Sequence, residues 1–472
     1  MSVRRPNILL VMADEHAPMF SGAYGHHLVQ TPNLDQLAED GVTFDAAYCN
    51  SPICAPSRMS LLTGRLPHEI GAFDLASELP ADEVTYAHVL RAAGYDAVLA
   101  GKQHFVGADQ LHGFREQLSF DVHEGEHPLH GWPDDVAEDD YVWQHPLDAG
   151  PGTSRIVEAD EATETAAIEY LHERAAEGGR PWMLCASFVA PHWPYRAPEP
   201  WWGMYDPDDV DVPVFTEEEA RKQHPAISRL RERLGVASYD ERDVRRARAA
   251  YFAMISQLDD RIGNLRRTLV ETGQDQDTVV IYTSDHGGML GEHGLWRKMN
   301  FYEHSVRVPL IVAGAGGSQA GSRVARNVSL VDVAATIADL AGTAFPCPIA
   351  GTSLRPLLQA DEPASVKWDD CVFSEYLAHG VARPVAMLRD GDYKLIHYTG
   401  EPSQLFDVRA DPGELNDLAR SPDHRDVLRR LRRRLLQAWD PDAVEMRVLR
   451  SQVQRLVIRE ANGYQSTGAE PT

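Results

Sequence analysis

The chain has 472 residues, 43% hydrophobic and 25% charged, ordinary values for a globular enzyme with a large core and room for a second, smaller unit. A formal net charge of −26 excludes a nucleic-acid partner, whose phosphates need a basic surface, and requires any anionic substrate to be drawn in by a local positive site. Five cysteines, Cys49, Cys54, Cys185, Cys347 and Cys371, show neither metal nor disulfide spacing, and no apolar stretch is long enough to span a bilayer, so a reducing compartment and no membrane partner are expected.

The first residues, M-S-V-R-R-P-N, lead into an apolar run without a signal-peptide core, and the expected location is cytoplasmic. Residues 7–12 suit a parallel strand buried on both faces, which stops at Asp14-Glu15-His16. Residues 34–40 predict a short helix closed by Gly41. In S-P-I-C-A-P-S-R-M-S-L-L-T-G, residues 51–64, Pro56 suits the first turn of a helix, residues 57–63 its body and Gly64 its left-handed exit. Cys54 then sits at a helix N-terminus, where unpaired N–H groups and the dipole favour negative charge, and Arg58 adds a cation one turn in. Residues 85–93 predict a helix, and residues 95–100 a second strand that empties into Gly101-Lys102-Gln103-His104. A third strand, 182–188, runs into Ala190-Pro191-His192.

A long helix over 242–272 carries Tyr251, Ile255, Leu258, Ile262, Leu265 and Leu269 at spacings of four and three, a core stripe. Residues 278–283 form a fourth strand ending in Ser284-Asp285-His286-Gly287, 309–313 a fifth, and 331–341 a helix stopped by Gly342. This alternation predicts an α/β fold with a large, mostly parallel sheet flanked by helices. Asp14, Lys102, His104, His192, Asp285 and His286 all lie just beyond the C-terminal ends of predicted strands, where open α/β sheets build their sites.

From residue 366 the pattern changes to short strands, 371–376, 385–389, 393–398 and 404–408, with Asp390-Gly391 as a hairpin turn. Leu428, Leu431, Leu435 and Trp439 make the apolar face of a following helix, and the arginines of 429–434 are read as a solvated face. Val444, Val448, Leu449, Leu456 and Val457 mark a further amphipathic segment, expected to form a contact in a homo-oligomer, and the end from Ala461 reads as disordered. The expected organisation is a catalytic unit over 1–365, an α+β subdomain over 366–440 and a tail over 441–472.

C-A-P-S-R, followed by an apolar run and T-G, resembles the signature of the formylglycine-dependent sulfatases of the alkaline phosphatase superfamily, and the likeness extends from Pro6 to about residue 418. The resemblance implies an alkaline phosphatase-like fold and oxidation of Cys54 to formylglycine by a formylglycine-generating enzyme that reads Pro56 and Arg58. It also implies one divalent metal on Asp14, Glu15, Asp285, His286 and oxidised Cys54. Many sulfatases carry Asp-Asp and Asp-Asn in these pairs, so Glu15 and His286 are departures. The imidazole tilts the preference from calcium towards manganese, and calcium, manganese and magnesium all stay open.

By the same resemblance the hydrated aldehyde attacks sulfur, Asp285 accepts its proton and Arg58 holds the diol and the anion. Lys102 and His104, in G-K-Q-H, match a cation for the sulfate oxygens and a base for breakdown of the covalent intermediate. His192, in A-P-H-W-P-Y, and Lys298, in G-L-W-R-K-M-N, match the leaving-group side. Residues 101–114 and D-H-G-G-M-L-G-E-H-G-L-W-R-K-M resemble the choline-sulfatase branch, and the text after Asp390 resembles the small C-terminal antiparallel subdomain of sulfatases. An acidic and aromatic loop from Glu124 to Trp143, with Trp193, Tyr195, Trp201 and Trp202, is either a cage for a quaternary ammonium group or a solvated loop over packing tryptophans. The implied activity is hydrolysis of a small-molecule sulfate monoester. The alternatives are a phosphonate monoester or phosphodiester hydrolase, and a non-catalytic sulfate-ester binder with unmodified Cys54. A redox protein is disfavoured because no C-x-x-C is present.

Overall fold

In a computed structural model, which describes residues 5–123, 148–234, 240–315 and 319–461, the first apolar run becomes the strand Asn7–Ala13 inside an eight-stranded sheet. It pairs in parallel with Trp182–Ser187 on one side and Thr278–Ser284 on the other, and Asp96–Gly101 lies parallel beyond Trp182–Ser187. These strands are buried almost throughout, which explains why they read as continuous apolar runs rather than alternations.

Past Thr278–Ser284 the sheet becomes mixed. Leu310–Gly314 runs antiparallel to both Thr278–Ser284 and Gly41–Tyr48, and Ser322–Ser329 lies parallel to Gly41–Tyr48. The direction reverses because the segment between Ser284 and Leu310 holds only short elements, with no crossover helix to return the chain to its starting edge. Two of these strands are missing from the sequence reading. Gly41 ends the helix Pro32–Asp40 and begins Gly41–Tyr48 at once, with a close approach that only glycine allows, since a Cβ would lie 2.4 Å from Val312 O. Ser322–Ser329 carries Arg323 and Arg326 and a break in register between Val324 and Asn327, which hides its period.

Helices cover both faces. Glu241–Glu271 packs on Arg155–Glu177 and Pro32–Asp40, while Leu330–Leu340 packs on Cys54–Thr63 and Tyr86–Ala92. The predicted stripe of Tyr251, Ile255, Leu258, Ile262, Leu265 and Leu269 is buried, each aliphatic side chain contributing roughly 1.5–3 kcal/mol.

Cys371–Tyr376, Val385–Asp390, Tyr393–Tyr398 and Gln404–Asp407 form the expected four-stranded antiparallel sheet. Its two faces alternate strictly. Met387, Ile396 and Phe406 join the main core, whereas Ala386, Leu388, Leu395 and Leu405 join Leu431, Leu435 and Trp439 of the helix Arg425–Ala438 and its exit. The last helix, Pro441–Ala461, packs Val444 and Val448 into that second cluster and leaves Met446, Val453, Val457 and Ile458 exposed. Arg455 pairs with Asp74 at 2.6 Å, tying this helix to the loop that follows the helix Pro67–Ile70. No helix among the described residues is long and apolar enough to cross a membrane. The expectation of disorder beyond Ala461 lies outside the described residues.

Candidate active site

The four parallel strands end at one edge of the sheet, and the loops leaving them carry most of the predicted site. Asp14 and Glu15 follow Asn7–Ala13, Lys102 and His104 follow Asp96–Gly101, His192 follows Trp182–Ser187, and Asp285 and His286 follow Thr278–Ser284. Backbone bonds hold these ends level: Asp14 N–H donates to Ala190 O (3.3 Å), Asp285 N–H to Ala13 O (3.2 Å) and Lys102 N–H to Ser187 O (2.9 Å). The helix Cys54–Thr63 brings in Cys54. Ile53 before it offers no side-chain cap to the N–H groups at its start. The helix leaves through Gly64 at φ 67, the left-handed exit expected of it.

Cys54 Sγ lies 3.3 Å from His286 Nε2 and 3.8 Å from Asp14 Oδ1. One ligand atom from each of Asp14, Cys54, Asp285 and His286 falls within 4.8 Å of the others. Arg58 and Lys102 fix which carboxylate oxygens face this cluster. Arg58 reaches Asp285 Oδ2 at 2.8 Å and Asp14 Oδ2 at 3.1 Å, and Lys102 Nζ lies 2.6 Å from Asp14 Oδ2, which turns each Oδ1 inwards. His286 Nδ1–H donates to Gly287 O at 2.8 Å, so Nε2 is the ring atom that points into the cluster. It stands 3.9 Å from Asp14 Oδ1 and 3.7 Å from Asp285 Oδ1, too far for hydrogen bonds. Glu15 Oε1 is buried without a hydrogen-bond partner among the described residues. Oxygens turned inwards beside the Cys54 sulfur and the His286 ring nitrogen fit a divalent cation among Asp14, Cys54, Asp285 and His286, whereas Glu15, expected as a fifth ligand, groups with Asp14 and His192 instead.

The charges agree with that fit. Burial would raise the carboxyl of Asp14, yet the Lys102 ammonium, with Arg58 and Lys298, holds it well below the usual range. Burial would lower His286, yet Asp285 and Cys54 raise it to about 9, so Nε2 holds a proton at neutral pH unless a cation takes its place. Glu15 itself sits at φ 67, a left-handed conformation that is costly without glycine. It is fixed from both sides, its N–H donating to Asp285 Oδ1 (3.2 Å) and its carbonyl accepting from Tyr251 OH (2.6 Å).

The remaining predicted residues surround this cluster. Lys298 Nζ is 2.9 Å from Glu15 Oε2; burial opposes its charge, but Cys54, Glu15 and Asp14 raise it above the ordinary lysine value. His192 Nε2 stands 3.7 Å from Glu15 Oε2, and its Nδ1–H donates to Trp193 O at 2.5 Å. Burial and the Lys298 charge push His192 well below the ordinary histidine value, leaving the ring neutral. His104 is lowered likewise, by burial and then by His123 and Lys102, and its ring stacks on His123 with centroids 3.9 Å apart.

The family profile described as Sulfatase matches residues 6–343. The chain belongs to the sulfatase family. A second profile, described as N-sulphoglucosamine sulphohydrolase, C-terminal, matches residues 291–440. The choline-sulfatase of Rhizobium meliloti is 37% identical over 98% of this chain and 92% of its own length. An N-acetylglucosamine-6-O-sulfatase of Bacteroides thetaiotaomicron is 28% identical over 88% of this chain and 83% of its own length. Among solved structures, the phosphonate monoester hydrolase of Agrobacterium radiobacter superposes with a TM-score of 0.75 at 27% identity, covering 92% of this chain and 95% of that one. The fold is therefore of the alkaline phosphatase type, and the chain is a sulfuric ester hydrolase by family.

Within this sulfatase-family site, Arg58 differs from its expected use. Its guanidinium is committed to Asp14, Asp285, the Lys102 carbonyl (2.7 Å) and Ser187 Oγ (2.8 Å), so it orients carboxylates and strand ends more than it holds an anion. Three supporting residues escaped the sequence reading. Asp121 Oδ2 accepts the N–H groups of Gln103 (2.7 Å) and His104 (2.6 Å), and Asp160 accepts those of Val189 (2.7 Å) and Ala190 (3.0 Å), just before His192. Ser187 is the third. No local signal marks them, since Asp160 stands among other acids on its helix and Ser187 merely ends a strand. The loop from Glu124 to Trp143 lies outside the described residues. Trp193, Trp201 and Trp202 pack partly buried against the main core, and Trp201 Nε1–H donates to Asp260 at 2.8 Å.

Proposed function

We propose that the chain hydrolyses the sulfate monoester of a small alcohol at residue 54. The observation that carries this reading is Cys54 at an uncapped helix start, facing Asp14, Asp285 and His286 with Lys102 and Lys298 beside them. Oxidised to formylglycine by its generating enzyme and hydrated, residue 54 would supply a hydroxyl nucleophile, and a divalent cation held by Asp14, Asp285 and His286 would lower its pKa. Calcium, manganese and magnesium are the candidates.

The protein's own groups do the rest. Asp285, fixed by Arg58, takes the proton of the attacking hydroxyl. Lys102 and Lys298 balance the sulfate charge as it spreads onto the equatorial oxygens. Lys298 and His192 face the departing oxygen, and a bound anion opposing the Lys298 charge raises the proton affinity of His192. His104, neutral through burial, serves as the base when sulfate is expelled.

The likeness to the choline-sulfatase supports choline sulfate as the first substrate to try. A phosphonate monoester or phosphodiester hydrolase is the second reading, favoured by the likeness to the Agrobacterium enzyme and by His286 in the metal cluster. We also assign a homo-oligomer contact to the exposed Met446, Val453, Val457 and Ile458 of a cytoplasmic enzyme. An elution volume unchanged after truncation at Asp440, beyond the lost mass, would remove that contact.

The deciding experiment compares kcat/KM for an aryl sulfate, choline sulfate and an aryl phosphonate monoester, with the state of residue 54 read by peptide mass spectrometry. A lead for either sulfate supports the proposal, and a phosphonate lead replaces it with the second reading. An unmodified thiol in protein from its native host, with binding and no turnover, identifies a non-catalytic binder.

A further inference from the structure

Lys298 stands on an unusual piece of backbone. Its neighbours Arg297 and Met299 both have positive φ, 67 and 76, so neither prefers the conformation that aims Lys298 at Glu15. On one side the loop is tied near Cys54, where Met299 N–H donates to Pro52 O at 3.1 Å. On the other side Met299 and Phe301 join the main core, but a cavity of about 810 Å³ lies against them and Asn300, walled by Leu230, Tyr398 and Leu449. The loop has room to relax into that space.

What restrains it comes from the C-terminal sheet. Lys394, in the strand Tyr393–Tyr398, is fully buried, and its Nζ donates to Phe301 O at 2.9 Å. The same ammonium lies 2.7 Å from Glu303 Oε1 and 2.7 Å from Glu414 Oε1. Glu414 Oε2 in turn accepts the N–H of Glu303 at 2.7 Å, and Tyr48 OH reaches Glu303 Oε2 at 3.2 Å. One buried cation thus joins the end of the Lys298 loop, the catalytic unit and the small sheet. Without it, Glu303 and Glu414 would face each other with only Arg307 and Arg389 left to offset their charge, beside a backbone carbonyl that has lost its donor.

We propose that Lys394 is a positioning residue, which holds the Arg297–Phe301 segment so that Lys298 meets the leaving-group oxygen. The proposal rests on the leaving-group role given to Lys298 above. The test uses the full-length, modified enzyme with Lys394→Met, Lys394→Arg, Lys298→Ala and the double variant Lys298→Ala/Lys394→Met. Leu431→Ala, in the second core and away from the loop, serves as a destabilised control. Two readouts are taken: kcat/KM on an alkyl sulfate and on a nitrophenyl sulfate, and hydrogen exchange of the peptide spanning residues 297–303.

Lys394→Met is expected to lose about 10- to 100-fold on the alkyl ester and only a few-fold on the nitrophenyl ester, with faster exchange at 297–303. Lys394→Arg should recover part of both, and the double variant should lose little beyond Lys298→Ala. Leu431→Ala should melt lower without changing the ratio of the two esters. Equal losses on both esters with unchanged exchange at 297–303 would overturn the proposal. If Lys298→Ala itself treats both esters alike, the leaving-group role of Lys298 fails, and exchange at 297–303 still decides whether Lys394 holds the loop. Should Lys394→Met not fold, Glu414→Gln carries the same test with a smaller expected shift, and unchanged exchange there would count against the anchor.

Discussion

A guanidinium has five N–H donors in a rigid fork, and Arg58 directs them to two carboxylates, a carbonyl and a hydroxyl. A lysine cannot bridge Asp14 and Asp285 at once, so Arg58→Lys is expected to fold, to lose about 100-fold or more in kcat and to bind the divalent cation more weakly. Turnover and metal titration by calorimetry check this. Glu292 offers a cleaner stability test. Burial would raise it, but His304 and Arg248, whose Nη1 is 2.7 Å away, lower it to about 2 from 4.5. A depressed carboxyl contributes stability that is present above its unfolded value and lost as pH falls through its folded value, here from about 4.5 towards 2. Glu292→Gln should therefore cost on the order of 3 kcal/mol at neutral pH and flatten the acid limb of a denaturation series. Cys54 and Arg58 were legible because one contiguous string spells them. Asp121 and Asp160 were not, because their signal is a distance to distant backbone.

At the scale of elements, the site is a set of strand ends stapled by carboxylates. Asp160, one helix away, satisfies two N–H groups that turn the chain towards His192. In Asp160→Asn one of those donors meets an amide NH2 instead, which should cost about 1–3 kcal/mol in urea denaturation and lower kcat through a displaced His192. Unchanged kcat with a lowered midpoint would confine Asp160 to stability. The parallel strands were readable because burial on both faces leaves apolar runs with abrupt polar ends, and Asp14, Lys102, His192 and Asp285 mark those ends. Gly41–Tyr48 was hidden because Asp45, Ala46 and Ala47 blur its period, and Ser322–Ser329 because its register breaks. The antiparallel course of Leu310–Gly314 depends on the length of the loop before it, which no residue within the strand reveals.

Over the whole molecule, a net charge of −26 surrounds a site built from Arg58, Lys102 and Lys298. An aryl sulfate anion approaching that field is repelled at long range, whereas zwitterionic choline sulfate is not. Raising ionic strength from about 10 mM to about 150 mM, which shortens the screening length to about 8 Å, should increase kcat/KM for the aryl ester several-fold and leave choline sulfate nearly unchanged. Equal responses would mean that the local cations dominate the approach. The long-range charge was legible from composition, but the close packing of its local exception was not. One further property follows from the helix Cys54–Thr63, all of whose residues are buried. On the proposed formylglycine route, a second enzyme would have to reach Cys54, Pro56 and Arg58 before the fold buries them, so maturation of residue 54 would have to win a race against folding. On that route the fraction of active molecules would be set during synthesis, by the relative speeds of translation, modification and collapse, and a folded but unmodified copy would have no route back short of unfolding.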